Sequence, residues 1–256
     1  MACGGNEDGF SCWTFSSGVW NKSHTLMNRR DLHSAWNSPL GVMLFGGEGG
    51  TLWSEILNDD GQSDVGIHLD EKVLSSCAIQ LDAKVIISGG LLASKAVRAY
   101  NTDGRIGNEV LPDLEQGRAS HGCGYYVNSD NVVVYVITGG FITPRDTLSQ
   151  SEFFQHVLSS TEILVSGAES WKKVGDLPIP LANLKGVSFN NKIMMIGGGN
   201  ESGAQNIVVS FNITSEQWDH VGEMKEKRHS HGVSFFNTED YPDYSDSGTD
   251  TNFCSE

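Results

Sequence analysis

Apolar residues in this chain come in short runs of four or five, and glycine closes most of them. Val42-Met43-Leu44-Phe45 ends at Gly46-Gly47, and Val85-Ile86-Ile87-Ser88 ends at Gly89-Gly90. Val134-Tyr135-Val136-Ile137-Thr138 ends at Gly139-Gly140, and Ile193-Met194-Met195-Ile196 at Gly197-Gly198. Runs of this length between turn residues predict buried strands, and no window sustains the 3.6-residue period of an amphipathic helix. Around Gly46 the pattern predicts four strands: His33 to Trp36, Gly41 to Phe45, Leu52 to Leu57 and Val65 to Leu69. Asn37-Ser38-Pro39 and Asn58-Asp59-Asp60-Gly61 supply turns between them.

The glycine pairs have two readings. Bare backbone amides can cradle a phosphate, but that loop opens a helix and carries Gly-Lys-Ser/Thr. Here Gly46-Gly47 leads into Thr51-Leu52-Trp53-Ser54-Glu55-Ile56-Leu57, which reads as another strand. The second reading is architectural: glycine lets a strand turn where no Cβ fits. Repetition decides for the second. Counting from Gly4-Gly5, successive pairs lie 42, 43, 50 and 58 residues apart. A motif at that period marks repeated supersecondary units.

Other residues keep the same phase. Arg30 and His33, Arg118 and His121, and Arg228 and His231 each form Arg-x-x-His before a strand-like run. Trp20, Trp171 and Trp218 precede the next unit, and Met27 and Met224 come shortly before the Arg. In one interval Leu181 and Leu184 replace Arg and His, and residues 74–117 lack Trp. This combination resembles the kelch repeat, which implies an all-β fold of four-stranded blades in a β-propeller. The units fall near 1–29, 30–73, 74–117, 118–180 and 181–227, with a closing strand at 228–237 and an acidic disordered tail at 238–256. Five blades are recognisable, the first incomplete. The terminal strand completes the first blade in a five-blade closure, or an upstream blade belongs to a six-bladed parent. Cys3-Gly4-Gly5, Ser11-Cys12-Trp13-Thr14-Phe15, Trp20 and Ser23-His24-Thr25-Leu26 resemble the second blade of an animal kelch family with six glycine pairs. The expectation is therefore the six-bladed parent.

Charge narrows the partners. Seventeen basic against 32 acidic residues give a net charge of −15, the opposite of a nucleic-acid or anionic-membrane binder. No apolar run approaches the ~20 residues that span a bilayer. Six acids and no base lie in 238–256, a composition that stays solvated. Of five cysteines, Cys3 and Cys12 sit at a second-strand end and a third-strand start, where a cross-strand bridge fits. Cys77 and Cys123 lie in first strands of neighbouring units and read equally as a bridge or as small buried hydrophobes. Cys254 falls in the tail. The sequons at Asn21, Asn200 and Asn212 lean weakly towards secretion, given an upstream signal peptide.

Candidate chemistry is sparse. An oxidase of the galactose oxidase type needs converging His, Tyr and Cys ligands for copper. His33, His121 and His231 instead hold one repeated position, as packing requires. The Glu-x-x-x-Asp-x-x-x-His pattern of iron-dependent propellers is absent, as are Gly-x-Ser-x-Gly and HExxH. Arg30, Arg118 and Arg228 precede first strands, so they are candidates to face a partner's carboxylates or to tie down their own loops. The insertion from Phe141 to Ser160 offers Phe153, Phe154 and Val157 as a second partner-facing candidate. Gly4, Gly5, Gly46, Gly47, Gly89, Gly90, Gly139, Gly140, Gly197 and Gly198 are read as structural. The expected function is a non-catalytic scaffold that binds a protein partner without a cofactor. A propeller oxidase whose site is lost, or an inactive fragment, is the alternative.

Overall fold

The computed structural model describes residues 2–3, 9–16, 19–47, 52–91, 95–103, 108–142 and 156–233. These form an all-β, propeller-like architecture of separate antiparallel sheets with no α-helix among the described residues. The first sheet runs β1 (Ala2–Cys3), β2 (Ser11–Ser16) and β3 (Val19–Thr25). The second runs β4 (Ser34–Ser38), β5 (Gly41–Phe45), β6 (Trp53–Leu57) and β7 (Ser63–His68). The third runs β8 (Cys77–Leu81), β9 (Lys84–Ser88), β10 (Val97–Asn101) and β11 (Asn108–Leu111). The fourth runs β12 (Gly122–Val127), β13 (Val133–Thr138), β14 (Thr161–Val165) and β15 (Lys172–Val174). The fifth contains β16 (Lys185–Phe189), β17 (Lys192–Ile196), β18 (Gly199–Asn200), β19 (Gly203–Asn212) and β20 (Gln217–Arg228). Gly4, Gly5, Phe153, Phe154, Cys254 and residues 234–256 lie outside the described residues. Residues 231–233 of the expected closing strand are described and form no strand.

The cores lie between sheets. Along β13, Val134 and Val136 pack towards the fifth sheet, while Tyr135 and Ile137 pack towards the third. Along β5, Met43 and Phe45 meet the third sheet, and Leu44 meets Cys12 and Leu26 of the first unit. Both faces of β5, β9 and β13 are thus buried, which is why these strands are unbroken apolar runs rather than alternating ones, whereas Met194 and Ile196 of β17 are half-buried. First strands β4 and β8, β8 and β12, and β12 and β16 contact one another, so successive sheets share a common axis.

The glycine pairs are the joints. Gly47 donates its N–H to the Val73 carbonyl at 2.9 Å, Gly90 to Arg118 at 2.9 Å, Gly140 to Leu181 at 2.7 Å and Gly198 to Arg228 at 2.8 Å. Each acceptor lies just ahead of the next unit's first described strand or, for Arg228, at the start of the expected closing segment; Val73, the last residue of the unit read as 30–73, thus heads the third sheet. Gly46 and Gly47 have φ of 61° and 93°, and a Cβ on Gly47 would stand 2.6 Å from the Asp31 carbonyl oxygen. A second chain of bonds runs inside the first. Leu32, Ser75, Ser120, Asn183 and Ser230 all hold left-handed backbone, with φ of 52° to 55°. Ser75 N–H donates to the Leu32 carbonyl, Ser120 to Ser75, Asn183 to Ser120 and Ser230 to Asn183, at 3.3, 2.7, 2.8 and 3.0 Å.

Two disulfides complete the frame. Cys3 and Cys12 are directly paired across β1 and β2, with Cα atoms 4.0 Å apart. Cys77 and Cys123 link the third and fourth sheets, with Cα atoms 6.0 Å apart.

These contacts set two expectations for unfolding experiments. Gly47→Ala should cost clearly more than Gly203→Ala. Gly203 also has positive φ (95°) but faces open space, so its alanine carries only conformational strain. Urea titration should give about 1–2 kcal/mol for Gly203→Ala and more for Gly47→Ala. Equal losses would show that the carbonyl contact is unimportant. Replacing Cys77 and Cys123 together by Ala should remove about 2–5 kcal/mol, read from the same titration. Non-reduced peptide mapping should find both bridges.

Candidate functional site

Arg30 and Arg118 are fully buried, at 0% exposure. Neither can face a partner, which corrects the first of the two sequence expectations for them. Arg30 donates Nε to Glu55 Oε1 at 2.9 Å, Nη1 to the Gly46 carbonyl at 2.7 Å and Nη2 to the Trp53 carbonyl at 2.9 Å. Arg118 repeats this arrangement. Its Nη1 reaches the carbonyls of Gly139 and Ser160 at 2.9 Å each, and its Nη2 reaches Glu162 Oε1. Each guanidinium therefore binds the carbonyl of the first glycine of its own unit's pair. The two acids were not singled out from sequence. Glu55 lies opposite Leu44 and Glu162 opposite Ile137, one residue before the last of each second strand.

Each acid also holds the loop before its arginine. Glu55 accepts the N–H of Met27 at 2.7 Å and of Asn28 at 3.1 Å, and Ser63 donates to it at 2.8 Å. Glu162 accepts the N–H of Glu115 at 2.7 Å and of Gln116 at 3.1 Å. Burial pushes the Glu55 carboxyl up, but the Ser63 bond, the Arg30 charge and the Asn28 and Met27 bonds outweigh it and hold it below the ordinary range. Burial lowers the Arg118 guanidinium, against the pull of Glu162. Arg228 differs. It is half-buried and makes no ion pair among the described residues, and its carbonyl serves Gly198.

Three residues after each arginine stands a histidine. His121 is 4% exposed, and its Nε2 shares a 2.9 Å hydrogen bond with Ser88 Oγ of the preceding unit. The residue in the place of Ser88 before His231 is Ile196, which offers no partner, and both ring nitrogens of His231 are buried and unbonded. Nδ1 of His33 and of His121 is unbonded as well. Burial drives all three imidazoles towards the neutral form. His33 falls to about 4, helped by Arg30 and Lys185 and opposed by Asp31. His121 lies well below the usual value through burial, Arg118 and Lys185, and His231 is lowered by burial, Lys185, Arg228 and His229.

These residues meet. A cavity of about 360 Å³ opens on the common axis, lined by Asp31, His33, His121, Lys185 and His231 and by the left-handed residues from Leu32 to Ser230. Burial lowers the pKa of Lys185, although its side chain is exposed to solvent in the cavity. No group of three or more His, Cys, Asp or Glu among the described residues is placed to hold a metal ion. Phe141 and Val157, from the insertion, pack with Ala119, Ala182 and Leu91 in a small cluster.

Two measurements follow. Arg118→Met should cost about 3–5 kcal/mol, because it strands a buried carboxylate, and adding Glu162→Leu should recover much of that. No recovery in the double variant would mean that the pair is not coupled. For pH, His33 binds its proton at about 4 when folded and at 6.5 in the reference state. Between those values the unfolded chain takes up a proton that the folded chain refuses, so stability is full above about 6.5 and falls as pH drops towards 4. The loss from this group reaches roughly 3 kcal/mol, and His121 acts in the same direction. Urea midpoints should fall between about pH 7 and about pH 4.5, and His33→Asn should flatten that slope.

No family model matches the chain, and no curated protein matches it. Among solved structures, the one titled "Structure of YjhT" is similar at a TM-score of 0.65 and 14% identity, covering 83% of this chain and 80% of that one. At this identity the likeness establishes a shared fold alone.

Proposed function

We propose that this chain is a kelch-type propeller acting as a non-catalytic scaffold for a protein partner. The observation that carries this reading is the commitment of Arg30, Arg118 and His121 to holding the sheets. Arg30 and Arg118 bind backbone carbonyls and buried acids of their own units, and His121 is tied to Ser88. Residues spent on holding sheets together are not free to perform acid–base or redox chemistry. Exposed aromatic surface adds support. Trp13 pairs with Lys22 and Phe15 with Trp20, so Trp13 and Trp20 share one face of the first sheet, at 40% and 53% exposure. Tryptophan on a surface is a common anchor for protein partners.

The finer reading is five kelch blades, the first incomplete, from a six-bladed parent. It is supported by the inner chain of hydrogen bonds, which among the described residues runs from Leu32 to Ser230 without closing. The Leu32 N–H is satisfied instead by Asp31 Oδ1 at 2.8 Å.

The oxidase alternative gives the decisive test. The protein should take up no stoichiometric copper and should release no peroxide from primary alcohols when copper is supplied. A photo-crosslinker at Trp20 should capture a discrete protein, and Trp13→Ser should abolish that capture. Copper-dependent peroxide release overturns the scaffold reading.

A further inference from the structure

Three Asn-x-Ser/Thr triplets, beginning at Asn21, Asn200 and Asn212, serve neither the sheet joints nor the axial cavity. Such a triplet accepts an N-linked oligosaccharide when the chain is made in a secretory compartment. The bridges Cys3–Cys12 and Cys77–Cys123 point to that setting, because disulfides persist where the surroundings are oxidising. Geometry then separates the three asparagines.

Asn200 and Asn212 share a local turn. In each, Oδ1 accepts the N–H two residues on, from Ser202 at 2.9 Å and from Thr214 at 3.1 Å. Asn212 Oδ1 also takes the Ser215 N–H at 3.2 Å. Bonds of this span need only their own few residues, so they can form while the chain is still being made.

The two differ at Nδ2, the atom that would carry a sugar. Asn200 is half-buried and pairs with Gly203 around a two-residue turn. Its Nδ2 donates to the Pro180 carbonyl at 3.1 Å, and Gln205 Nε2 reaches its Oδ1 at 3.4 Å. That amide is therefore a contact of the folded sheet. Asn212 ends β19 and is exposed, as are Ile213, Thr214 and Ser215. Its Nδ2 donates to the exposed Asp219 carboxylate at 3.3 Å. A carboxamide has two N–H donors, which leaves the second for another bond. Asn21 is exposed too, but it lies within β3 opposite Thr14, and the Ser23 hydroxyl of its triplet is spent on the Cys12 carbonyl at 3.2 Å.

We propose that Asn212 is an N-glycosylation site, the acceptor for an oligosaccharide from a lipid diphosphate donor. The bond from Nδ2 to the anomeric carbon forms as that carbon's bond to the diphosphate oxygen breaks. The amide gives up one proton, and the lipid diphosphate leaves with the electron pair. The attachment point is the exposed turn between β19 and β20, so a glycan displaces no packed side chain there. This goes beyond the scaffold role and does not depend on it.

The test uses the full chain, secreted from cultured animal cells behind an added secretion signal. Peptide N-glycosidase in heavy-oxygen water turns each glycosylated asparagine into isotope-labelled aspartate, which tandem mass spectrometry places in the sequence. Label should appear at Asn212 in most molecules and at Asn200 in few. Thr214→Ala breaks the triplet but keeps the N–H that Asn212 accepts, so it should lose the Asn212 label. If the chain is retained in the cell, the same mapping on the lumenal fraction decides. An unlabelled Asn212, equal labelling of Asn200 and Asn212, or an Asn212 label that survives Thr214→Ala would each overturn the proposal.

Discussion

In the pairs among the described residues, the second glycine gives its N–H to a carbonyl of the segment that follows its own sheet, and the order of the sheets depends on that bond. Its geometry excludes any side chain on two counts. The backbone is left-handed at Gly47 and Gly90, and a Cβ would come within 2.6 Å of the Asp31 oxygen or 2.7 Å of the Leu74 oxygen. The acceptors are the backbone oxygens of Val73, Arg118, Leu181 and Arg228. These are the repeated arginine positions. The joint therefore needs the main chain there and leaves the side chain free to vary, so Val73 and Leu181 can stand where two other units have arginine.

What arginine adds is control of a loop. Glu55 and Glu162 each take the N–H groups two and three residues before their arginine. Burying an ion pair brings little net stability, because desolvation offsets the attraction. Its value is directional: one carboxylate fixes the arginine, the incoming loop and, through the arginine, the glycine turn. The third unit has no buried ion pair at this joint among the described residues; its Arg98 stands 3.9 Å from Glu71 and 4.0 Å from Asp113 at partly exposed positions. Val73 joins the apolar core, and the N–H of Asp70 reaches the Tyr100 hydroxyl at 3.4 Å. Burial raises that phenol to about 12, so it remains a neutral hydroxyl at any physiological pH. Arg98 stands where Glu55 and Glu162 stand, opposite Ile87. Arginine and acid thus occur together in two units, and in this one neither is in its place.

The strands were legible because their burial on both faces leaves an apolar run that turn residues interrupt. The expected Gly41 to Phe45 strand coincides with β5, and Leu52 to Leu57 is β6 begun one residue early. The fourth strand starts at Ser63 rather than Val65, because the Ser63 hydroxyl is drawn inward to Glu55. Partners across strands were harder to read. Arg30 and Glu55 are 25 residues apart but Arg118 and Glu162 are 44 apart, since the insertion lies between the second and third strands of the fourth sheet. No fixed spacing signals that contact. The direction of the arginine side chains was likewise hidden, because a loop position says where the backbone lies and nothing about whether an acid waits beneath it. Ser88 carried a weak signal, as a hydroxyl breaking an otherwise apolar run just before a glycine pair.

Repetition and chemistry then separate. The left-handed residues Leu32, Ser75, Ser120, Asn183 and Ser230 place equivalent backbone around one axis, and the residue after each differs: His33, Ser76, His121, Leu184 and His231. A perfect repeat would line the cavity with five copies of one side chain, and like groups around an axis repel or pack without distinguishing one ligand from another. Lys185 follows Leu184 in the unit that lacks both arginine and histidine, so the departure from the repeat is what brings the cavity its cation. The same departure leaves Ile196 in the place that Ser88 holds for His121, and so leaves His231 unbonded. Departures that weaken the match to the repeat thus give the axial cavity its asymmetry.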